Sequence, residues 1–269
     1  MLRADVLLDR DGVQVSDVAC RHEARRGDAH EADHHAVVLV RRGCFARSVG
    51  GAAQLLDPTT ATCINPGDEQ RYDHPHDVGD DCTAVRVAPT LLASLWGGDP
   101  TLPSVPLATS PGVDLEHRLL VAAVHRGEGP DGLVERTVSL VASTLETADA
   151  ARVASGRPST DRARAALVDA ARQCLAADAG RSLPDLSAAL HVSPHHLSRT
   201  FRAVTGHTVS RHRMRLRTRA ALDRLADGDH DLTHLAADLG FADHSHLCRV
   251  VRRETGRTPS ALRAALARR

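Results

Sequence analysis

The 269-residue chain has no lysine, no Cys-x-x-Cys pair, no long apolar run and only three Phe, one Tyr and one Trp. Its longest apolar stretches, AVVLV at Ala36 to Val40 and LLVAAV at Leu119 to Val124, fall far short of the roughly 20 residues that span a bilayer. No membrane segment is therefore expected. The N-terminus, MLRADVLLDRDG, lacks the charged, apolar and small-residue succession of a secretory signal, so a cytoplasmic protein is expected. Six cysteines without close pairing, in a chain this long, argue against a secreted disulfide scaffold and leave thiols or metal ligands. The missing lysine reflects base composition more than binding chemistry. Tyr72 and Trp96, each the sole residue of its type, fit a core or a pocket-lining role equally well.

What is present is arginine, unevenly placed. The 34 basic and 34 acidic side chains cancel over the whole chain, but up to residue 158 there are 15 Arg against 23 acids, and beyond it 19 Arg against 11. Formal charges of −8 and +8 follow. A polyanion-binding module joined to something else shows this asymmetry, and so do Arg-rich solvated helices. From Arg3 to Val87 the pattern is short β-branched or alternating runs broken by turn signals: GVQVSDVAC, HAVVLVRRG, Gly50-Gly51, TTATCINPGD and DCTAVRV. That spacing predicts a small sandwich or barrel. Leu115 to Val124 and Leu133 to Leu145 switch to helical period, with Leu133, Thr137, Leu140, Val141 and Leu145 on one face. The segment ADAARVASGRPST reads as a linker. Two domains are expected, 1–150 and 160–269.

The basic half repeats itself. LPDLSAALHVSPHHLSRTFRAVTGHTVS begins at Leu183, and LTHLAADLGFADHSHLCRVVRRETGRTPS begins at Leu232. Each copy reads as a short helix, a tight turn closed by Val192 or Phe241, and a second helix behind an N-cap, Ser193 with Pro194 or Asp243. Leu197 matches Leu247, Phe201 matches Val251 and Gly206 matches Gly256 at an offset of fifty. His195, His196, Ser198 and Arg199 in one copy, and His244, Ser245, His246 and Arg249 in the other, occupy the opposite face. Such side chains donate to base edges and phosphates when a helix N-terminus enters a major groove. Between the copies SRHRMRLRTRAALDRLADG predicts a long spacer helix with Met214, Thr218, Ala221, Leu222 and Leu225 on one side. Its arginines 211, 213, 215, 217 and 219 ring it, as phosphate contacts or as a solvated face.

GFADHSHLCRVVRRETGRTPSALR and SPHHLSRTFRAVTG resemble the DNA-binding domain of AraC-type transcription regulators. Val251, where that family usually has an aromatic, and Val209, where proline is frequent, are small departures. The resemblance implies two helix-turn-helix units on double-stranded DNA, with His195, Ser198 and Arg199 and then His244, Ser245, His246 and Arg249 as base readers and His196 among the DNA-binding residues, contact with RNA polymerase, and a homodimer; activation and repression both stay open. More loosely, VRRGCFARSVGG, INPGDEQRYDHP and GDDCTAVRV resemble the cupin-like sensor and dimerisation domain of such regulators. The implied class is α+β: a cupin-like β-barrel with trailing helices, then an all-α double helix-turn-helix domain. The effector is left unidentified.

Four cysteines and six histidines fall within the first 82 residues. A zinc-like ion suits such donors, and Cys20, His22, His74 and His76 are the candidate ligands, because Cys20-x-His22 and His74-Pro75-His76 each present two donors on one side of an extended segment. The cysteine intervals of 24, 19 and 19 match no zinc module, so core packing competes for Cys44, Cys63 and Cys82. An alternative function is a cupin-type metal-dependent enzyme fused to a DNA-binding domain. Two histidines one residue apart followed four or five later by glutamate would signal it, but aspartates follow His76. No catalytic residue is assigned.

Overall fold

The computed structural model describes residues 2–21, 29–74, 79–96, 98, 100–152 and 160–267. Ten strands come first: β1 Leu2–Arg10, β2 Val13–Cys20, β3 His30–Glu31, β4 Ala36–Arg42, β5 Phe45–Val49, β6 Ala52–Leu56, β7 Thr60–Ile64, β8 Glu69–Asp73, β9 Asp80–Val87 and, after helix α1 Pro89–Trp96, β10 Leu107–Ala108. All pair antiparallel, in a six-stranded sheet ordered β1-β2-β9-β4-β7-β10 and a four-stranded sheet ordered β3-β8-β5-β6. The expected strand runs are all present. Helices α2 Pro111–His125 and α3 Pro130–Arg152 follow, and α3 runs five residues into the expected linker. The rest of that linker, 153–159, lies outside the described residues.

Period two decides what the larger sheet buries. Val13, Val15, Val37, Leu39, Ala61, Cys63, Val85 and Val87 face α2 and α3, where Leu120, Leu133, Leu140, Val141 and Leu145 complete the main core. A buried Leu or Val in such a core contributes about 1.5–3 kcal/mol. The alternate residues Val38, Val40 and Cys82 turn toward the smaller sheet, meeting Phe45, Leu56 and Tyr72. Between the sheets sits Arg47, only 1% exposed. Its guanidinium donates to Gln70 Oε1 (2.9 Å), Thr62 Oγ1 (3.0 Å), the Cys63 carbonyl (2.7 Å) and Asp68 Oδ2 (3.0 Å), and the Tyr72 hydroxyl donates to the same Gln70 oxygen (2.8 Å). A buried cation is tolerated only with such complete pairing. The barrel interior is filled by a polar network that the sequence reading did not foresee.

The C-terminal part is all helix: α4 Thr160–Ala177, α5 Leu183–Ala189, α6 Pro194–Thr205, α7 Val209–Ala226, α8 Leu232–Asp238, α9 His244–Thr255 and α10 Pro259–Leu266. Its two apolar clusters differ in origin. The first, around Val168, Ala171, Leu175, Leu186, Leu197, Phe201, Val209 and Leu216, comes wholly from this half. The second, around Leu222, Leu235, Phe241, Leu247, Val251 and Leu262, also takes in Leu115 and Leu119 of α2.

Ion pairs bind the halves together. Asp57 carries an Arg172 guanidinium at 2.8 Å and has the His212 ring 3.6 Å away. Arg118 of α2 donates to Asp223 Oδ1 (3.0 Å) and to the Arg41 carbonyl (3.3 Å). Asp114 pairs with Arg219, and Arg215 donates to the Thr109 carbonyl. Arg215 and Arg219 are buried, so these two spacer arginines serve neither phosphate nor solvent. Burial pulls the Arg219 guanidinium down to about 10, with Asp114 opposing, which leaves it charged at neutral pH.

Candidate nucleic-acid interface

The interface is built from two copies of one local design. In each, a seven-residue helix, α5 or α8, ends where the chain turns through a left-handed residue, His191 (φ 53°) or Gly240 (φ 69°). The Val192 and Phe241 amides close the turns onto the carbonyls of Ser187 and Ala236. Ser193 Oγ then accepts from the His196 amide (3.2 Å), and Asp243 Oδ1 from the His246 amide (2.6 Å), which fixes where α6 and α9 begin. Both end at a left-handed glycine, Gly206 or Gly256. Asp243→Ala should cost about 1 kcal/mol of stability by removing the α9 cap, measured by urea unfolding; no loss would mean that the turn alone sets the helix start.

Leu197, Phe201, Leu247 and Val251 are fully buried, so the opposite faces of α6 and α9 have one orientation available. His195, His196 and Arg199 are exposed on α6, as are His244, Ser245 and Arg249 on α9; Ser198 and His246 are half-buried. The His246 Nδ1 accepts from the Ala242 amide (3.1 Å) and its ring lies 5.6 Å edge-on from Phe241, so this histidine also braces the turn. With Nδ1 accepting, a neutral ring carries its proton on Nε2. Arg249 Nε donates to the Ser245 carbonyl (3.3 Å), and Cys248 Sγ lies 3.5 Å from His244 Nε2. Arg202 and Arg252, also exposed and fifty apart, extend the same two faces by one turn. The repeat offset could have flagged both.

Helix α7 holds the copies apart over 18 residues, about 27 Å at 1.5 Å per residue. Thr218, Ala221, Leu222 and Leu225 are its buried side, as the pattern predicts. Arg217 donates to the carbonyl of Ala179 after α4 (3.1 Å) and to that of Gly240 in the second turn (2.5 Å), tying the end of α4 to the second copy.

The metal candidates divide. His22 and His76 lie outside the described residues. Cys20 and His74 meet, and Asp80, which the sequence reading passed over, joins them with all three donor atoms within 4.8 Å. Cys44, Cys63 and Cys82 are buried, and no disulfide joins any of the six cysteines. Burial pushes the Cys44 and Cys63 thiols up to about 12, as expected for thiols in a core.

Residues 186–265 match the helix-turn-helix domain family. No curated protein matches the chain in sequence. Among solved structures, ToxT from Vibrio cholerae O395 is similar at 11% identity, with 95% of this chain and 98% of that one covered and a TM-score of 0.38. The Cnp3 cupin domain of Schizosaccharomyces pombe is similar at 10% identity over 36% of this chain and 71% of its own, with a TM-score of 0.31. A cupin family protein from Methanocaldococcus jannaschii stands at 7% identity, 33% and 81% coverage, and a TM-score of 0.29. Among the described residues no helix is long and apolar enough to cross a membrane. The C-terminal segment of the chain is a DNA-binding helix-turn-helix domain of the AraC type.

Proposed function

We propose that the chain is a sequence-specific transcription regulator, with 160–269 reading DNA and 1–150 sensing a signal. The observation that carries this is the exposed polar and cationic face presented twice, at equivalent positions of α6 and α9, over fully buried opposite faces. His195, His196, Ser198 and Arg199 read one groove segment, and His244, Ser245, His246 and Arg249 read the next. Affinity comes mainly from phosphate contacts and specificity from the base-edge donors. The sensor half is not read as an enzyme: aspartates, and not the glutamate of a metal-holding triad, follow His74 and His76.

Coupling between the halves runs through their shared ion pairs. A cleft of about 380 Å³, lined among others by Arg41, Arg42, Leu175, Leu216, Arg219 and Asp223, opens beside them. An occupant there would favour one arrangement of the halves over another. Homodimerisation through the N-terminal half is supported by Leu2 and Val6, exposed on edge strand β1. The apolar stripe of α3 packs against the larger sheet. Contact with RNA polymerase belongs to the same reading.

The test starts from duplexes selected out of a random pool. Arg249→Ala should weaken binding to the selected duplex by about 1–3 kcal/mol and narrow its preference over a scrambled one, with the fold unchanged. Equal affinity of both proteins for both duplexes, read by fluorescence anisotropy at fixed salt, would remove the base-reading role.

A further inference from the structure

Strand pairing puts Cys20, the last residue of β2, directly opposite Asp80, the first residue of β9. His74 arrives from the other sheet, immediately after β8, and its Nε2 lies 2.5 Å from Asp80 Oδ1. The three residues close one end of the barrel where the two sheets meet. We propose that Cys20, His74 and Asp80 form a binding site for a zinc-class divalent cation.

Donor chemistry selects the ion. A thiolate, an imidazole and a carboxylate suit zinc and its borderline neighbours, whereas calcium and magnesium prefer all-oxygen sets. Two anionic donors balance the charge of the ion, and these three residues supply three of its four tetrahedral positions.

The surroundings hold those donors in place. Cys82 Sγ lies 3.2 Å from the second Asp80 oxygen, Oδ2, and orients the carboxylate as an outer hydrogen-bond partner does at metal sites. Arg21 donates to the backbone carbonyls of both Cys20 (3.2 Å) and Asp80 (3.1 Å), and to Asp81 Oδ1 (2.6 Å), tying the two strand ends together. The backbone beneath is packed without slack: a Cβ on Gly79 would fall 2.0 Å from the Cys20 carbonyl oxygen, and one on Gly43 would fall 2.3 Å from that of Gly79. The His74 ring rests against Phe45, with ring centroids 6.1 Å apart. Ligands on rigid strand ends lose little freedom on binding an ion. The site requires nothing of the DNA-reading helices, so the inference stands whether or not the chain binds DNA.

The full chain, prepared without a histidine tag and stripped with a chelator, is titrated with cobalt(II) and then with zinc(II). The expected result is about one equivalent of cobalt, a thiolate-to-cobalt charge-transfer band, and loss of that band as zinc displaces cobalt. Cys20→Ser should abolish the band, and His74→Gln and Asp80→Asn should each weaken zinc binding at least about tenfold. Cys248→Ser, which removes the thiol 3.5 Å from His244 Nε2, should leave the band intact. If a site variant fails to fold, the titration of the parent chain and of Cys248→Ser still decides. Substoichiometric cobalt, a band lost in Cys248→Ser, or a band surviving in Cys20→Ser overturns the proposal and leaves a hydrogen-bonded triad only.

Discussion

Asp57→Ala is expected to lower the unfolding free energy of the full chain by about 3–5 kcal/mol, the usual loss when one partner of a buried ion pair is removed. The Asp57 side chain is fully buried and accepts from Arg172 (2.8 Å) and from both the amide and hydroxyl of Thr59 (2.7 Å each). Without it the Arg172 guanidinium, 12% exposed, keeps among the described residues Asp169 at 3.4 Å. Burial alone would raise the Asp57 carboxyl, but Arg172 and the Thr59 hydrogen bonds outweigh it and hold the group well below the usual carboxylate range. Because the folded value is depressed, this contribution is present above the unfolded value of about 3.9 and is lost only as pH falls through the folded one. Urea unfolding near neutral pH measures the effect. Adding Arg172→Met to Asp57→Ala should restore most of the loss. A loss below about 1 kcal/mol in the single variant would show that Arg172 swings out to water.

Mild acid acts through a different group. Burial pulls the His212 imidazole down to about 4, against an opposing pull from Asp57 and with help from Arg172. The ring is buried, 5.4 Å edge-on from Phe201 and stacked 5.8 Å from His207. Below about pH 6.5 the unfolded chain takes up this proton and the folded chain does not, so stability rises with pH across the window from about 4 to 6.5. The complete term is roughly 3 kcal/mol, of which about 2 kcal/mol is lost between about pH 7 and about pH 5. His117, held well below its ordinary value by burial and the neighbouring Arg118, adds to the loss with the same sign. Urea titrations at the two pH values, on the parent chain and on His212→Gln, measure the slope. An unchanged slope in the variant would mean that another group titrates.

Local rules made much of this molecule legible in advance. The fifty-residue offset gave both helix-turn-helix units, their caps and their glycine ends, because capping and period 3.6 act within a few residues. Period two likewise gave β2, β4, β7 and β9. What escaped depends on long-range pairing. Nothing near Arg47 announces that it will be buried among Gln70, Thr62 and Asp68, and an alternating Arg series on α7 looks solvated until Thr109 and Asp114 are set beside it. Asp80 was passed over for the same reason: its closeness to Cys20 follows from strand register across sixty residues and has no local motif. His74 draws attention through His76 two residues on, whereas the structure sets it beside an aspartate six residues on.

The helix α2 is a wall shared by two rooms. Its Leu120 and Ala123 belong to the barrel core, while Leu115 and Leu119 complete the hydrophobic heart of the second reading unit. Amputating the chain ahead of α4 would keep every apolar member of the first unit's core while taking away Asp57, the buried partner of Arg172, and would leave the second unit gaping on its inner side. The two reading heads are twins in sequence but not in how they lean upstream: one is tied there by a charge, the other by apolar packing. A tilt of that single helix would be felt at α9 before it reached α6.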